Sequence, residues 1–409
     1  MSWTTTRCKF LLDEYNVRSE TGKEQLLSLS KYQGVIPKSS LEDRAGGAES
    51  LIGYKKVRLG DLVINKMQAV NGLLAISATS GITSPDYSVY APKPNSGLSN
   101  RFLGYVLSRD IYLSEFKKRV TGVMEGFIRL YTDDLFDIEL LMPSKPEQIA
   151  IANFLDEKVG KIDEAIAQKE QLIQLLNERK QIITQNAVTK GLNPKAPMRD
   201  SGIEWIGEIP EHWEVEKLGS SLSPISIKNH ADKPLLSITR ERGVILRDIE
   251  DQKSNHNFIP DDLSGYKLIQ KGQFGMNKMK AWQGSYGVSE HTGIVSPAYF
   301  IFDFTRDVYP DFFHKAIRSK LYVSFFGSAS DGVRIGQWDL SKSRMKQIPI
   351  ILPPHAEQES ICLHIDQQSS KISLAISETE KSIEKLKEYK ATLINSAVTG
   401  KINVSNYGL

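Results

Sequence analysis

Two stretches, PSKPEQIAIANFLD at residues 143–156 and PPHAEQESICLHID at residues 353–366, decide how this chain is built, because the second repeats the first. Pro143, Glu147, Gln148, Ile151 and Asp156 return as Pro353, Glu357, Gln358, Ile361 and Asp366, each 210 positions on (357 − 147). The same interval carries Lys161, Ile162, Ala165, Ile166, Glu170, Ile173, Leu176, Glu178 and Lys180 onto Lys371, Ile372, Ala375, Ile376, Glu380, Ile383, Leu386, Glu388 and Lys390. It ends by carrying Ala187, Val188 and Thr189 onto Ala397, Val398 and Thr399. No gap is needed anywhere in the match.

Apolar positions in these stretches step by three or four. Ala152, Leu155, Val159, Ile162, Ile166, Lys169, Ile173, Leu176, Lys180, Ile183 and Ala187 form one heptad seam, the a/d rhythm of a coiled coil. Cys362, Ile365, Ser369, Ile372, Ile376, Thr379, Ile383, Leu386, Lys390, Leu393 and Ala397 form the other. Pro146 and Pro354 stand where a helix tolerates proline, and Gly191 and Gly400 where helices end. Two helices of roughly 40 residues, each on the order of 60 Å long, are predicted. Two stripes of equal length and register can cover one another, and an antiparallel pair follows from the order of the copies. Two separate amphipathic helices, each packed on its own domain, satisfy the same periodicity.

A looser repeat lies upstream. Gly60, Asn65, Lys66, Met67, Ala69, Gly72, Gly81, Ile82, Ser84, Pro85 and Tyr87 return 212 positions on as Gly272, Asn277, Lys278, Met279, Ala281, Gly284, Gly293, Ile294, Ser296, Pro297 and Tyr299. Leu26, Leu27 and Ser28 before Gly34 are echoed at 209 by Leu235, Leu236 and Ser237 before Gly243, and Arg129, Asp134 and Leu135 match Arg334, Asp339 and Leu340 at 205. The frame is duplicated while its loops diverge. A chain of this kind presents two related surfaces about a pseudo-twofold axis, a symmetry that double-stranded DNA rewards.

Each helical stretch follows a globular part of mixed α/β character. Asp61 to Ile64 and Pro349 to Leu352 read as strands, and Arg101 to Lys118 and Pro310 to Phe326 as helices. Between the halves, residues 191–219 are rich in Gly, Pro and charge but carry Trp205 and Trp213, which a plain flexible linker rarely spends. At 409 residues and 40% hydrophobic the chain can bury more than one core. Its two cysteines, Cys8 and Cys362, make no disulfide framework, and no stretch has the length of a membrane span, which points to a soluble cytoplasmic protein. Net charge is only +3, weak support for a polyanionic partner.

The Pro-x-x-x-Glu-Gln starts at Pro143 and Pro353, the Ala-Val-Thr exits, the twice-used Asn-Lys-Met frame and the connector from Asp200 to Trp213 together resemble the DNA-specificity subunit of type I restriction-modification systems. The connector motif occurs once, with nothing like it read ahead of the first half. What the resemblance implies is a mixed α/β protein with two pseudo-twofold-related target-recognition domains separated by two long helices that form an antiparallel coiled coil. The expected division is residues 1–145 and 216–353 for recognition, 146–191 and 354–400 for the helices, 192–215 for the connector and 401–409 for a tail. The implied partners are double-stranded DNA at a bipartite asymmetric site, two adenine-methyltransferase subunits and, in the full complex, restriction and translocase subunits, with no membrane.

No catalytic residue, cofactor or metal is assigned to the chain. Pro353-Pro354-His355 does not match the adenine-methyltransferase tetrapeptide, no glycine-rich phosphate loop occurs, and the seven histidines are scattered. Base-reading candidates lie where the two frames differ: Gln68 and Asn71 in one loop, Lys280, Trp282 and Gln283 in its counterpart. Asn and Gln suit adenine and Lys suits guanine, although ordinary polar loop residues, with Trp282 in a local core, fit the pattern equally. Lys66, Lys278, Arg129 and Arg334 occur in both copies and suit phosphate contacts, or structural ion pairs. Arg240 and Arg242 are further basic candidates, as are Lys117, Lys118 and Arg119. A stand-alone architectural or regulatory DNA-binding protein that uses the coil as a spacer is the alternative.

Overall fold

Heptad stripes without a break become helices without a break: the computed structural model has helices at Lys145–Lys190 and His355–Ala397. It describes residues 3–31, 33–41, 50–120, 128–248, 259–334 and 337–404. Seam positions from Ile162 to Ile183 are buried or half-buried, while most of their neighbours are exposed. Two compact units emerge, Met1–Lys169 with Glu380–Leu409, and Glu170–Thr379, so both helices contribute a segment to each.

In the first unit the helical segments run antiparallel. Ala150 and Ile151 line one cavity with Thr399 to Val404, whereas Asp163, further along, takes Lys390 Nζ at 2.6 Å. Val159, Ile162, Leu393, Ala397 and Val398 share a core with the adjoining globular part. In the second unit Lys180 Nζ donates to Ser373 Oγ at 3.2 Å, and a Cβ on Gly191 would lie 3.1 Å from Glu357 Oε1. That direction is again antiparallel.

The repeated Glu-Gln pair fastens each helix start. Gln148, 1% exposed, donates from Nε2 to Pro143 O (3.0 Å) and accepts from Ser99 N (2.8 Å). Gln358 does the same with Pro353 O (2.9 Å) and Tyr309 N (2.8 Å). Asp156 accepts from Tyr105 Oη (2.6 Å) and from Arg101, and Asp366 from Lys315 Nζ (2.7 Å). A buried amide with both ends satisfied holds its loop firmly, since leaving either end unmade would cost about 1–3 kcal/mol.

Trp213 Nε1 donates to Glu357 Oε2 at 3.1 Å, and Trp3 Nε1 to Glu147 Oε1 at 3.2 Å. A Cβ at Gly191 would lie 3.1 Å from Trp213 Cζ2, and one at Gly400 3.0 Å from Trp3 Cζ2. The end of the connector therefore does have a counterpart ahead of the first half, Trp3 standing where the second half has Trp213. A single residue carries no pattern that a sequence repeat would reveal.

The globular parts share one topology. Each has a four-stranded antiparallel sheet, ordered Leu12–Glu14, Tyr87–Pro92, Leu62–Asn65, Leu74–Ile76 in the first unit and Leu222–Ile225, Tyr299–Phe304, Phe274–Asn277, Tyr286–Val288 in the second. Hairpins Leu27–Ser30 with Gly34–Pro37 and Leu236–Thr239 with Gly243–Leu246 correspond, as do the pairs Thr4–Arg7 with Glu139–Met142 and Glu214–Lys217 with Pro349–Leu352. The helices expected at Arg101 to Lys118 and Pro310 to Phe326 each divide in two, at Asn100–Leu107 and Asp110–Arg119, and at Pro310–Ile317 and Lys320–Ser328. Arg109 and Ser319 are extended (ψ 145° and 153°) at the break. The buried set steps from Leu107 to Tyr112, a stride of five that a continuous helix face does not make. Among the described residues no helix is long and apolar enough to cross a membrane.

Candidate nucleic-acid interface

The repeated Asn-Lys-Met frame builds the same turn twice. After the strand Leu62–Asn65, Gln68 N donates to Asn65 O (3.0 Å) and Met67 N to Asn65 Oδ1 (3.1 Å). One 3-10 turn, Ala69–Asn71, follows, and Gly72 closes it at φ 79°. After Phe274–Asn277, Lys280 N donates to Asn277 O and Met279 N to Asn277 Oδ1, both at 3.1 Å. The turn Ala281–Gln283 then closes at Gly284 with φ 91°. Left-handed backbone explains the two glycines, and Ala69 and Ala281, both 0% exposed, plug the turns. What matches between the halves is turn chemistry; what differs stands on it.

Gln68 and Asn71 are exposed and bonded to each other, Asn71 Nδ2 donating to Gln68 Oε1 at 2.7 Å. That bond leaves a donor, Gln68 Nε2, and an acceptor, Asn71 Oδ1, to face an outside partner. Lys280 is exposed and Gln283 half-buried. Trp282 is half-buried and lies against Trp338, ring centroids 5.0 Å apart at 36°. Its place is a local aromatic pair, in the position where the first unit has Val70, 7% exposed.

Lys278 pairs with Asp339 at 3.2 Å, whereas Lys66 has no ion pair among the described residues. Leu130 N donates to Lys66 O (3.0 Å) and Leu340 N to Lys278 O (3.2 Å). The structure thus equates Leu130 with Leu340, and so Arg129 with Asp339, in place of the Arg129 and Arg334 match at 205. Two arginines shared by both copies no longer argue for a common phosphate role. Arg129 stands 3.9 Å from Asp86, and the side chain of Arg334 lies outside the described residues. Arg240 and Arg242 are exposed on the hairpin turn before Gly243. Lys118 and Arg119 are tied to Glu115 on their own helix, at 2.8 Å for Lys118.

Two lysines outside the frame traced in the sequence sharpen the electrostatics. Lys55, 3% exposed, pairs with Glu14 at 3.5 Å; desolvation holds its pKa below the ordinary lysine value, with Lys66 and Arg18 adding to the shift. Lys267 donates to Tyr299 O at 2.7 Å and is lowered likewise, by desolvation and then by Lys342, Lys228 and Lys278. Near each turn, then, a lysine is desolvated among other cations, with Glu14 offsetting the effect at Lys55. Lys55 and Lys267 stand 212 apart, so the repeat carries the signal one step upstream of Gly60 and Gly272.

No protein-family model matches the chain. It is 22% identical over 337 residues to the type I restriction enzyme EcoKI specificity subunit of Escherichia coli strain K12, covering 76% of this chain and 67% of that one. A chain of a type I R-M system, solved to explain its complex assembly and conformational transition, aligns with TM-score 0.62 at 13% identity over 97% of both chains. The HsdS subunit from Thermoanaerobacter tengcongensis aligns with TM-score 0.51 at 13% identity over 98% of this chain and 97% of its own. The fold is that of the type I restriction-modification specificity subunits, to one of which the sequence is similar over 76% of this chain.

Proposed function

We propose that this chain is the DNA-specificity subunit of a type I restriction-modification complex, in which the globular part of each unit reads one half of a bipartite asymmetric site. The observation that carries the reading is one turn built twice from the same hydrogen bonds and tipped with different side chains, Gln68 and Asn71 against Lys280 and Gln283. The Gln68 and Asn71 pair offers one donor and one acceptor, the complement of adenine N7 and N6, while Lys280 suits guanine O6 and N7. Lys66 and Lys278 supply charge toward the phosphates.

On this reading the chain recognises and its partners do the chemistry, in the cytoplasm. The long helices carry two adenine-methyltransferase subunits and, in the full complex, the restriction and translocase subunits. Leu172, Leu175 and Ile182 on the first helix and Leu374 on the second, 44–63% exposed, support a docking role for faces outside the seam. Methylome mapping of cells expressing the chain together with an adenine-methyltransferase subunit tests the reading. An asymmetric two-part motif with a fixed gap is expected. A single contiguous motif, or a protein that binds DNA without a methyltransferase partner, would favour the stand-alone DNA-binding alternative.

A further inference from the structure

Arg318 follows the helix Pro310–Ile317 and aims its guanidinium at backbone. Nη1 donates to Tyr286 O (2.6 Å) and Gly284 O (3.3 Å), and Nη2 to Arg240 O (2.7 Å) and Glu241 O (2.9 Å). Among the described residues no carboxylate lies within ion-pair distance of it; its charge is met by four carbonyls. Two of these belong to the hairpin turn that displays Arg240 and Arg242, and two to the segment closing the turn that displays Lys280 and Gln283. One turn earlier on the same helix, His314 Nδ1 accepts from Val288 N at 3.1 Å. A Cβ added at Gly243 would lie 3.2 Å from His314 Cε1 and 3.4 Å from Arg318 Nη1. The glycine lets the hairpin settle onto both side chains.

We propose that Arg318 is a positioning residue that locks the Arg240–Arg242 turn and the Lys280–Gln283 turn into one rigid reading surface for the half-site assigned to the second unit. The proposal rests on the function proposed above. A planar fork reaches two segments at once, which an ammonium, a single point of charge, does not. Bonds from a cation to carbonyls are among the stronger protein hydrogen bonds, and four of them leave neither turn free to move alone. Among the described residues the first unit shows no such fork: at the matching place after Asn100–Leu107 stands Ser108, whose hydroxyl donates to Tyr105 O on its own helix, at 2.9 Å. The two domains therefore differ in how firmly their reading segments are coupled as well as in which residues they display.

The test uses the full chain and its complex with the methyltransferase, comparing wild type with Arg318→Gln and Arg318→Lys. Amide exchange on the free chain is expected to rise about ten-fold or more in residues 239–243 and 283–286 together, with residues 30–34 and 68–73 unchanged. In methylome mapping, discrimination at one or more positions of a single half-site is expected to fall about ten-fold, the other half-site staying as it was. A merely structural loss would lower methylation at both halves alike and would leave the motif intact. Arg318→Lys keeps the charge and is expected to rescue neither readout. Exchange confined to one segment, or an unchanged motif in both variants, would overturn the clamp. If the wild type itself marks no bipartite motif, the functional reading fails, and exchange alone then decides whether the two segments are locked.

Discussion

Glu357 holds two donors, Trp213 Nε1 at 3.1 Å and His212 Nε2 at 2.8 Å, and Glu147 holds Trp3 Nε1 at 3.2 Å, so the Glu at each helix start anchors a tryptophan. Trp213 is 1% exposed. Trp213→Ala should cost about 3–5 kcal/mol in denaturant titration of the full chain. Trp213→Phe should cost less, chiefly the lost bond to a charged acceptor, about 1.5–3 kcal/mol. Equal costs would mean that the hydrogen bond, and not burial, dominates. His314 makes stability depend on pH. Desolvation, helped by Arg318 and Lys315, pushes its pKa down from 6.5 to about 4. The unfolded chain therefore takes up the proton first as pH falls. The stability held by neutral His314 is complete above about pH 6.5 and is lost on the way to pH 4, a total of about 3 kcal/mol. Wild type should lose that much more than His314→Gln between pH 7 and pH 4; parallel pH curves would contradict it. Side-chain roles at the interface separate by salt. Lys66→Ala should weaken all DNA binding and flatten the salt dependence by a slope of about 0.9, and more than Lys278→Ala, since Asp339 already pairs Lys278. Gln68→Ala or Lys280→Ala should instead relax one motif position, by about 1–3 kcal/mol. Such roles are the least legible level of the sequence. The frame shows which positions vary, yet that Trp282 lies against Trp338, or that Arg318 reaches four carbonyls, depends on contacts between segments tens of residues apart.

Elements are legible wherever periodicity is long. The heptads mark both long helices because an apolar stripe stepping by three or four over so many turns matches the helical period and no strand. The strand Pro349–Leu352 carries an unbroken apolar run. The breaks at Arg109 and Ser319 are not legible, because each half is only about two turns and propensity alone does not decide so short a helix. Length gives the long helices a second expected role, as a ruler for the gap between half-sites. Inserting one heptad after both Leu176 and Leu386 keeps the seam and adds about 10 Å of helix. The gap should widen by up to about three base pairs, with half-site sequences unchanged. Wild-type methylation at the original gap would reduce the helices to a docking platform.

At the scale of the whole molecule, duplication is the organising fact, and it is legible because the 210-residue interval needs no gap through the helices. The globular parts drift to intervals of 209 and 212 as loops change length, which is also how the match at 205 misleads. Within each unit the helical segments run antiparallel and share a core with the globular part beside them. The assignment of one half-site to each globular part belongs to the function proposed above. Its most direct test is exchange of residues 1–142 for the corresponding domain of a relative with a different motif, followed by methylome mapping of the chimera in complex with its methyltransferase. One half of the motif should change to the donor's and the other half remain. A chimera in which both halves change, or neither does, would contradict it.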